Sequence, residues 1–224
     1  MQNPRRRFLA LLGTGSLAGS IGFPATASAD ATEETPHPKP VSDAWDMSWT
    51  ERLTGKYRAV FDSPEAAEGS ALYRAVAWCD MYKEVYGAER PEMSPVVVIR
   101  HSAIPLIMGN AYWERFDAGK RLKIKDSKGK WTKTNPISRG AGDATASGAK
   151  YKLESFVESG GIVLACNWAF GMIVSNVREK DKLEAAEARV RATELMLPGV
   201  ILQPNGIFAA LRAQEAGCRY ILAS

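Results

Sequence analysis

Residues 160–171, with the sequence GGIVLACNWAFG, constrain the fold of this chain most strongly. Two glycines precede the unbroken apolar run 162–165, which is typical of a strand buried on both faces of a parallel sheet. Cys166 follows where that strand is expected to end, and Asn167 is a favoured N-cap for a helix that begins near Trp168. The stretch therefore predicts a strand that turns directly into a helix, with a cysteine at the turn.

The position of Cys166 is compatible with a chemical role and with a structural one. A thiol at a helix N-terminus lies at the positive end of the helix dipole, which favours the nucleophilic thiolate. Open α/β sheets also hold their ligands at the carboxyl ends of their strands. A free cysteine is, however, most often a small buried apolar residue. Both interpretations of Cys166 are open at this point.

The rest of the chain repeats the alternation of strand and helix. Its clearest strand is the β-branched run at 95–101, PVVVIRH. Apolar runs predict further strands at 56–62, 200–203 and 219–223. Helices are predicted at 68–86, 106–116, 150–159, 168–177, 179–197 and 207–216. Five strands that alternate with helices predict an α/β fold, with a single doubly wound, mostly parallel five-stranded sheet and helices on both faces.

Residues 118–149 depart from this alternation. Lysines and arginines crowd between 120 and 133, and the sequence LKIKDSKGKWT is typical of a small basic β-hairpin, followed by a glycine-rich loop. A connection of this length inside a compact domain is commonly functional or an excursion from the fold. We favour a solvated surface hairpin over the alternative, a lid that binds anions.

The N-terminus has the features of an export signal. Arg5, Arg6 and Arg7 precede Phe8 in a twin-arginine pattern, and a short glycine-containing apolar run and a small-residue cleavage site follow. We expect residues 1–29 to be a signal peptide that directs a folded protein to the periplasm, with no stable membrane anchor after cleavage. Residues 30–52 are predicted to be a disordered leader, and 53–224 the α/β domain.

Charge and motifs exclude several classes of function. The full chain has 29 basic and 25 acidic residues, but the predicted signal holds three arginines and no acid, so the mature chain has a net charge of +1. The basic balance is therefore a targeting feature and gives no support for binding nucleic acid. No CxxC or histidine-rich spacing indicates a metal site, and no glycine-rich phosphate loop indicates a nucleotide, so the sequence identifies no cofactor.

Polar residues follow three neighbouring strands of the predicted sheet. His101, Cys166 and Asn205 follow the second, third and fourth strands, so we expect them to gather at the carboxyl edge. His101 is the candidate base or cationic neighbour for a Cys166 thiolate, and Arg100 is the alternative. Strand alternation predicts that only one of Arg100 and His101 faces the cleft. A structural His101, hydrogen-bonded to a loop carbonyl, is an equally weighted interpretation.

Two blocks of the chain are GIVLACN at 161–167, and PNGI at 204–207 with RAQEAGCRY at 212–220. In these blocks the chain resembles the DsrE/DsrF-like family. The resemblance implies a compact α/β sheet, assembly into trimers or hexamers, and sulfur transfer as a cysteine persulfide on a cysteine at a strand-to-helix turn, the position of Cys166. The predicted export and the basic insertion depart from the relay proteins of the family.

Two functions from different classes follow. In the first, Cys166 is the persulfide acceptor of a sulfur carrier or sulfur-compound-binding protein; His101 or Arg100 stabilises the thiolate, and Asn167 and Asn205 contribute to a pocket for anionic sulfur groups. Its partner is a small sulfur compound or a thiol protein. In the second, a non-catalytic protein binds a small ligand or metal at His101 and Cys166, with two methionines, Met108 and Met172, as soft ligands. A cysteine hydrolase ranks last, because no acidic residue is placed to orient His101. The sequence leaves open whether the chain is an enzyme.

The two other cysteines are predicted to be structural. Cys79 falls on the apolar side of the helix predicted at 68–86, and Cys218 precedes the last strand. A disulfide between Cys166 and Cys218 requires Cα atoms within about 7 Å. The two residues are expected at opposite ends of the sheet, so we do not expect them to pair.

Overall fold

The computed structural model describes residues 44–140 and 146–224. The predicted signal peptide, most of the predicted leader and His37 lie outside these residues. The described chain forms one five-stranded, all-parallel sheet with helices, which confirms the predicted α/β class. The strands are β1 Tyr57–Ser63, β2 Met93–Ile99, β3 Ile162–Cys166, β4 Val200–Gln203 and β5 Arg219–Leu222. The α-helices are α1 Ser70–Tyr86, α2 Asn110–Arg115, α3 Ala118–Arg121, α4 Ala146–Ala149, α5 Leu153–Glu158, α6 Asn167–Asp181, α7 Ala185–Glu194 and α8 Gly206–Glu215.

The sheet order is β4-β3-β2-β1-β5, so the chain winds outward from β1 in both directions. Side chains that alternate along each strand divide the interior into two cores. The larger core contains Phe61, Ile99 and Val163, together with Leu72 of α1 and Phe170 of α6. The smaller core contains residues of the opposite parity, with two alanines of α8 and the alanine that follows it packed against them: Val60, Val96, Val98, Ile162, Leu164, Ala209, Ala213 and Ala216. Helices therefore cover both faces, as the alternation predicts.

Part of the predicted disordered leader is ordered. The segment Ser48–Arg52 forms a 3₁₀ helix, and the Trp49 side chain is fully buried in the smaller core. Burial of this large aromatic side chain anchors the short segment to the domain. The prediction of disorder is wrong for these residues.

Several predicted boundaries differ from the structure. The helix predicted at 106–116 is instead a 3₁₀ helix, His101–Ile107, followed by α2. The strand predicted at 95–101 is β2, Met93–Ile99, so Arg100 and His101 lie beyond its end. The helices predicted at 168–177 and 179–197 divide at a different point, because α6 runs on to Asp181 and ends where Lys182 takes a left-handed conformation with φ 54°. Charged residues continue through this break, so the periodicity alone did not locate it.

The basic segment forms a short compact turn. Asp126 accepts hydrogen bonds from the backbone N–H groups of Lys128 and Lys130, and one antiparallel bridge joins Lys125 to Trp131. Since no named strand occurs there among the described residues, a regular hairpin stays a prediction. In the same described part of the chain, no helix has the length and apolar character that crossing a bilayer requires.

Candidate functional site

The carboxyl ends of β2, β3 and β4 lie side by side at one edge of the sheet. The register pairs Ile99 with Ala165 and Cys166 with Gln203, so the segments that follow these strands meet there. They enclose a cavity of about 220 Å³, which we call the cysteine cavity. It is lined by Arg100, His101, Cys166, Trp168, Ala169, Asn205, Gly206 and Ile207. The expected gathering of His101, Cys166 and Asn205 is confirmed.

Cys166 itself is the N-cap of α6. The backbone N–H of Ala169 donates to the Cys166 sulfur at an N···S distance of 3.4 Å. The prediction that Asn167 caps this helix is wrong, because helical geometry begins at Asn167 and the extended residue before it is Cys166. Cys166 is 7% exposed and lines the cavity. Its sulfur accepts a hydrogen bond at the N-terminus of α6, which is the positive end of the helix dipole.

Asn167 has a structural contact instead of a place in the cavity. Its side-chain oxygen accepts a hydrogen bond of 2.6 Å from Arg189 of α7. Asn167 is absent from the lining of the cysteine cavity. This bond joins the first turn of α6 to α7, and it leaves the expected ligand-binding role of Asn167 without geometric support.

Asn205 caps α8 and also lines the cavity. Its side-chain oxygen accepts the backbone N–H of Phe208 at 2.8 Å. Its amide NH₂ group makes no hydrogen bond within the described chain, so it is free to donate to a bound group. The N-termini of α6 and α8 thus both end at the cysteine cavity, where two helix dipoles favour negative charge.

Arg100 is fixed by a buried carboxylate. Its Nε and Nη2 atoms donate to the two carboxylate oxygens of Asp62, each at 2.8 Å, and the hydroxyl of Tyr220 donates to Asp62 at 2.7 Å. These hydrogen bonds hold the pKa of the Arg100 guanidinium above its ordinary value. The Arg100 stem crosses the start of α8 so closely that a Cβ at Gly206 would lie 2.5 Å from the Arg100 Cβ. Arg100 is therefore a rigid, charge-paired wall of the cavity.

His101 is held by its backbone and has a free side chain. It adopts a left-handed conformation, with φ 51°, at the start of the 3₁₀ helix His101–Ile107. The backbone on either side is hydrogen-bonded to the end of β1, from Arg100 to Ser63 and from Ala103 to Pro64. The imidazole is exposed and makes no hydrogen bond with any residue described. The structural role weighed for His101, a bond to a loop carbonyl, is not seen.

Arg100 and His101 both line the cysteine cavity. The prediction that only one of them faces the cleft is wrong, because it assumed that β2 continues through both residues. The strand ends at Ile99, and the positive φ of His101 breaks the alternation.

Tryptophan and methionine side chains near the site divide between core and cleft. Trp168 is 73% exposed and lines the cysteine cavity, whereas Trp113 is fully buried and donates its indole N–H to the Pro105 carbonyl. Met108 is fully buried and so is not available as a soft ligand, whereas Met172 lines a neighbouring cavity. No group of three or more His, Cys, Asp and Glu side chains in residues 44–140 and 146–224 is placed to hold a metal ion.

Neither a scan against protein-family models nor a search of curated proteins finds a match for this chain. The site is therefore interpreted from its own geometry and chemistry. The class of ligand is inferred from the hydrogen-bond donors and the apolar surface that surround Cys166 and His101.

Sequence reasoning missed the cavity that adjoins this site. A volume of about 380 Å³, which we call the apolar cavity, lies along α6 and shares His101 and Ala169 with the cysteine cavity. It is also lined by Tyr112, Arg121 and Asn176. The signal was present in α6, since residues 169, 172 and 176 recur at helical spacing on one face. The opposite wall, formed by residues 101–122, could not be located from the sequence.

All three cysteines are free thiols. Burial raises the pKa of the Cys79 thiol, which lies half-buried on α1, and raises that of Cys218 to about 11. Cys218 precedes β5 at the amino edge of the sheet, so it lies at the end opposite to Cys166, as expected. Of the three thiols, Cys166 is the one that lies both at a helix N-terminus and in the lining of a cavity.

Proposed function

We propose that this chain is a sulfur carrier, or a sulfur-compound-binding protein, that holds sulfane sulfur on Cys166. One observation carries the proposal: the Cys166 sulfur accepts a backbone N–H at the start of α6 and opens on a cavity with Arg100 and His101. The resemblance of residues 161–167 and 204–220 to the DsrE/DsrF-like family supports the same reaction, and we propose membership of that family.

The reaction is a transfer between thiols that needs no external oxidant. The Cys166 thiolate attacks the outer sulfur of a donor persulfide, R–S–SH, and a new S–S bond forms on Cys166 while the donor S–S bond breaks. The donor leaves as a thiolate, and a protonated His101 can supply its proton. The persulfide on Cys166 then passes its outer sulfur to an acceptor thiolate by the same step in reverse.

The surroundings of Cys166 suit the charges in this step. Negative charge moves from the attacking sulfur to the leaving sulfur, within reach of the helix N-termini of α6 and α8. The free amide of Asn205 offers one further donor. Arg100 contributes a fixed positive group, although its charge is shared with Asp62.

We also propose that the chain assembles with copies of itself, as a trimer or hexamer. The support is a set of exposed apolar side chains on α8 and on the edge strand β5, which has no neighbour on its outer side within the described sheet. Its members are Ile207, Phe208, Leu211, Tyr220, Ile221 and Leu222. Light scattering coupled to gel filtration tests the assembly: a monomer at micromolar concentration would refute it. Export to the periplasm stays a prediction from the N-terminal residues.

Intact-mass analysis tests the sulfur chemistry. The full chain is produced with its own N-terminus, exposed to inorganic polysulfide, and weighed before and after mild reductant. We expect an adduct of one sulfur atom that reductant removes, and that is absent from Cys166→Ser but retained by the matched control Cys218→Ser. Absence of any adduct in the wild type, with Cys166 alkylated only after unfolding, would overturn the proposal.

A second candidate is the non-catalytic binding of a small ligand. The specific observation in its favour is the apolar cavity, which shares His101 with the cysteine cavity and offers a much larger apolar surface than a sulfur atom requires. Survival of ligand binding in Cys166→Ser, without any sulfur adduct in the wild type, would favour this function over the first.

A further inference from the structure

Three adjoining cavities, which together we call the cleft, lie along one side of α6 and share lining residues. The cysteine cavity and the apolar cavity share His101 and Ala169, and the apolar cavity shares Arg121 and Asn176 with an outer basin of about 620 Å³. The volume of the apolar cavity lies at the lower end of the range of small-ligand sites. The cleft is therefore large enough for a small organic molecule in its middle section.

The middle section is apolar along its length. Pro105, Leu122 and Met172 line it, together with the aromatic ring of Tyr112. Arg121 is the only lysine, arginine, aspartate or glutamate among its lining residues. The two acids near it, Asp117 and Glu179, line the outer basin instead. The apolar cavity is thus a hydrophobic slot with the Arg121 guanidinium at its outer end and the His101 imidazole at the end next to the cysteine cavity.

Two donors at that end lack acceptors. Tyr112 is 1% exposed, and its hydroxyl accepts a hydrogen bond from the Asn176 amide at 3.0 Å, which leaves the hydroxyl proton without an acceptor in the described chain. The exposed guanidinium of Arg121 has no carboxylate partner among the same residues. A buried hydroxyl proton without an acceptor is costly, so a ligand acceptor that meets it is favoured.

We propose that the apolar cavity binds an aliphatic monocarboxylate, with its chain along Pro105, Leu122 and Met172 and its carboxylate on Arg121 and the Tyr112 hydroxyl. A carboxylate provides two acceptors for these two donors and neutralises the guanidinium. An alcohol satisfies the hydroxyl but leaves Arg121 unpaired, and an amine is repelled by it. The site goes beyond the sulfur chemistry at Cys166 and requires no reaction there.

Calorimetric titration with three ligands of equal chain length tests the charge requirement. The full chain is titrated with octanoate, octanol and octylamine. We expect octanoate to bind about tenfold more tightly than octanol, as one charge-assisted hydrogen bond predicts, and octylamine to bind more weakly than either. Equal binding of all three would overturn the carboxylate assignment, and no binding of octanoate at millimolar concentration would overturn the site.

Substitutions locate the site. Arg121→Gln is expected to weaken octanoate about tenfold and to leave octanol unchanged, and Tyr112→Phe to weaken octanoate by a smaller factor. Lys128→Gln is the matched control, because Lys128 lies in the exposed turn of the basic segment and lines none of the cavities described here. Octanoate binding that Arg121→Gln and Lys128→Gln weaken equally would contradict the site.

A further variant separates this site from the sulfur chemistry. Met172→Trp fills the apolar slot from a half-exposed position, so the variant is expected to fold and to lose both octanoate and octanol. Cys166→Ser is expected to bind octanoate as the wild type does. If the wild type forms the sulfur adduct but does not bind octanoate, the carboxylate site is wrong and the sulfur chemistry stands. If it binds octanoate but forms no sulfur adduct, the sulfur chemistry is wrong and the carboxylate site stands.

Discussion

Cys166 and Cys218 are buried to nearly the same extent, at 7% and 5% exposure, yet their surroundings differ in kind. Cys166 ends a strand at the carboxyl edge of the sheet, accepts a backbone N–H and opens on a cavity. Cys218 precedes a strand at the amino edge, where burial raises the pKa of its thiol to about 11. The exposed fraction therefore does not distinguish the two thiols. The two thiols are distinguished by the edge of the sheet at which each one lies, because helix N-termini meet the carboxyl edge of a parallel sheet.

The largest expected difference between the two is their rate of alkylation. At pH 8 a thiol with a pKa of about 11 is ionised in roughly one molecule in a thousand. We expect iodoacetamide to label Cys166 at least about a hundredfold faster than Cys218 in the folded chain. The rate at Cys218 should rise about tenfold for each pH unit as pH approaches 11. Peptide mapping by mass spectrometry over time gives both rates.

Cys166→Ser is the control for this experiment. The variant must lose the fast labelling that is assigned to Cys166 and keep the slow labelling of Cys218. Equal labelling of both cysteines in urea confirms that the fold, not the local sequence, sets the difference. Equal alkylation rates of Cys166 and Cys218 in the folded chain would show that the two surroundings do not set the reactivity of the thiols.

The next largest effect concerns the ion pair that fixes the carboxyl edge. Asp62→Asn leaves the part-buried Arg100 guanidinium without its carboxylate, so we expect a loss of about 3 kcal/mol in the free energy of unfolding. Arg139→Gln is the matched control, because Arg139 pairs with Glu158 on the surface and exposed ion pairs contribute little to stability. Denaturant unfolding measures both. A loss in Asp62→Asn no larger than in the control would show that the pair does not hold this edge.

A third prediction concerns pH and the amino edge. Below pH 9 the Cys218 thiol is protonated in the folded and the unfolded chain, so its titration does not affect stability. Between pH 9 and about 11 the unfolded chain releases the proton and the folded chain keeps it, so the free energy of unfolding falls as pH rises. The expected fall from this group is about 2 kcal/mol across that window.

Other groups titrate in the same pH range, so the readout is a difference. Wild type and Cys218→Ala are unfolded in denaturant at several pH values from 8 to 11. The difference between the free energies of unfolding of the wild type and of Cys218→Ala should decrease as pH rises. A gap that stays constant would mean that Cys218 ionises in the folded chain as it does in the unfolded one.

The sequence predicted the sheet and the gathering of residues at its carboxyl edge because both depend on local signals. Unbroken β-branched runs such as 96–99 specify buried parallel strands, and parallel strands bring their ends together. The placement of His101, Cys166 and Asn205 followed without any motif. The topology of β5 beside β1 did not follow, since it depends on which face α8 covers.

The details of the site could not be predicted because they are set by contacts between distant segments. The bond of Arg100 to Asp62 joins β1 to the end of β2, and the bond of Asn167 to Arg189 joins two helices. The left-handed conformation of His101 is imposed by hydrogen bonds to the end of β1. Strand periodicity contains no information on any of these, which is why the orientations of Arg100 and His101 were wrongly predicted.

The smallest expected effect tests how tightly the carboxyl edge is packed. An alanine at Gly206 places its Cβ against the Arg100 stem, so Gly206→Ala should shift Arg100 and lower the free energy of unfolding by about 1.5 kcal/mol. Gly171→Ala is the matched control in α6, where an added Cβ meets nothing within 4 Å and removal of a helical glycine should raise that free energy by about 0.5–1 kcal/mol. Denaturant unfolding of both variants decides the sign. If Gly206→Ala stabilises the chain as Gly171→Ala does, the Arg100 wall yields to an added methyl group, and the cysteine cavity is less rigid than its hydrogen bonds indicate.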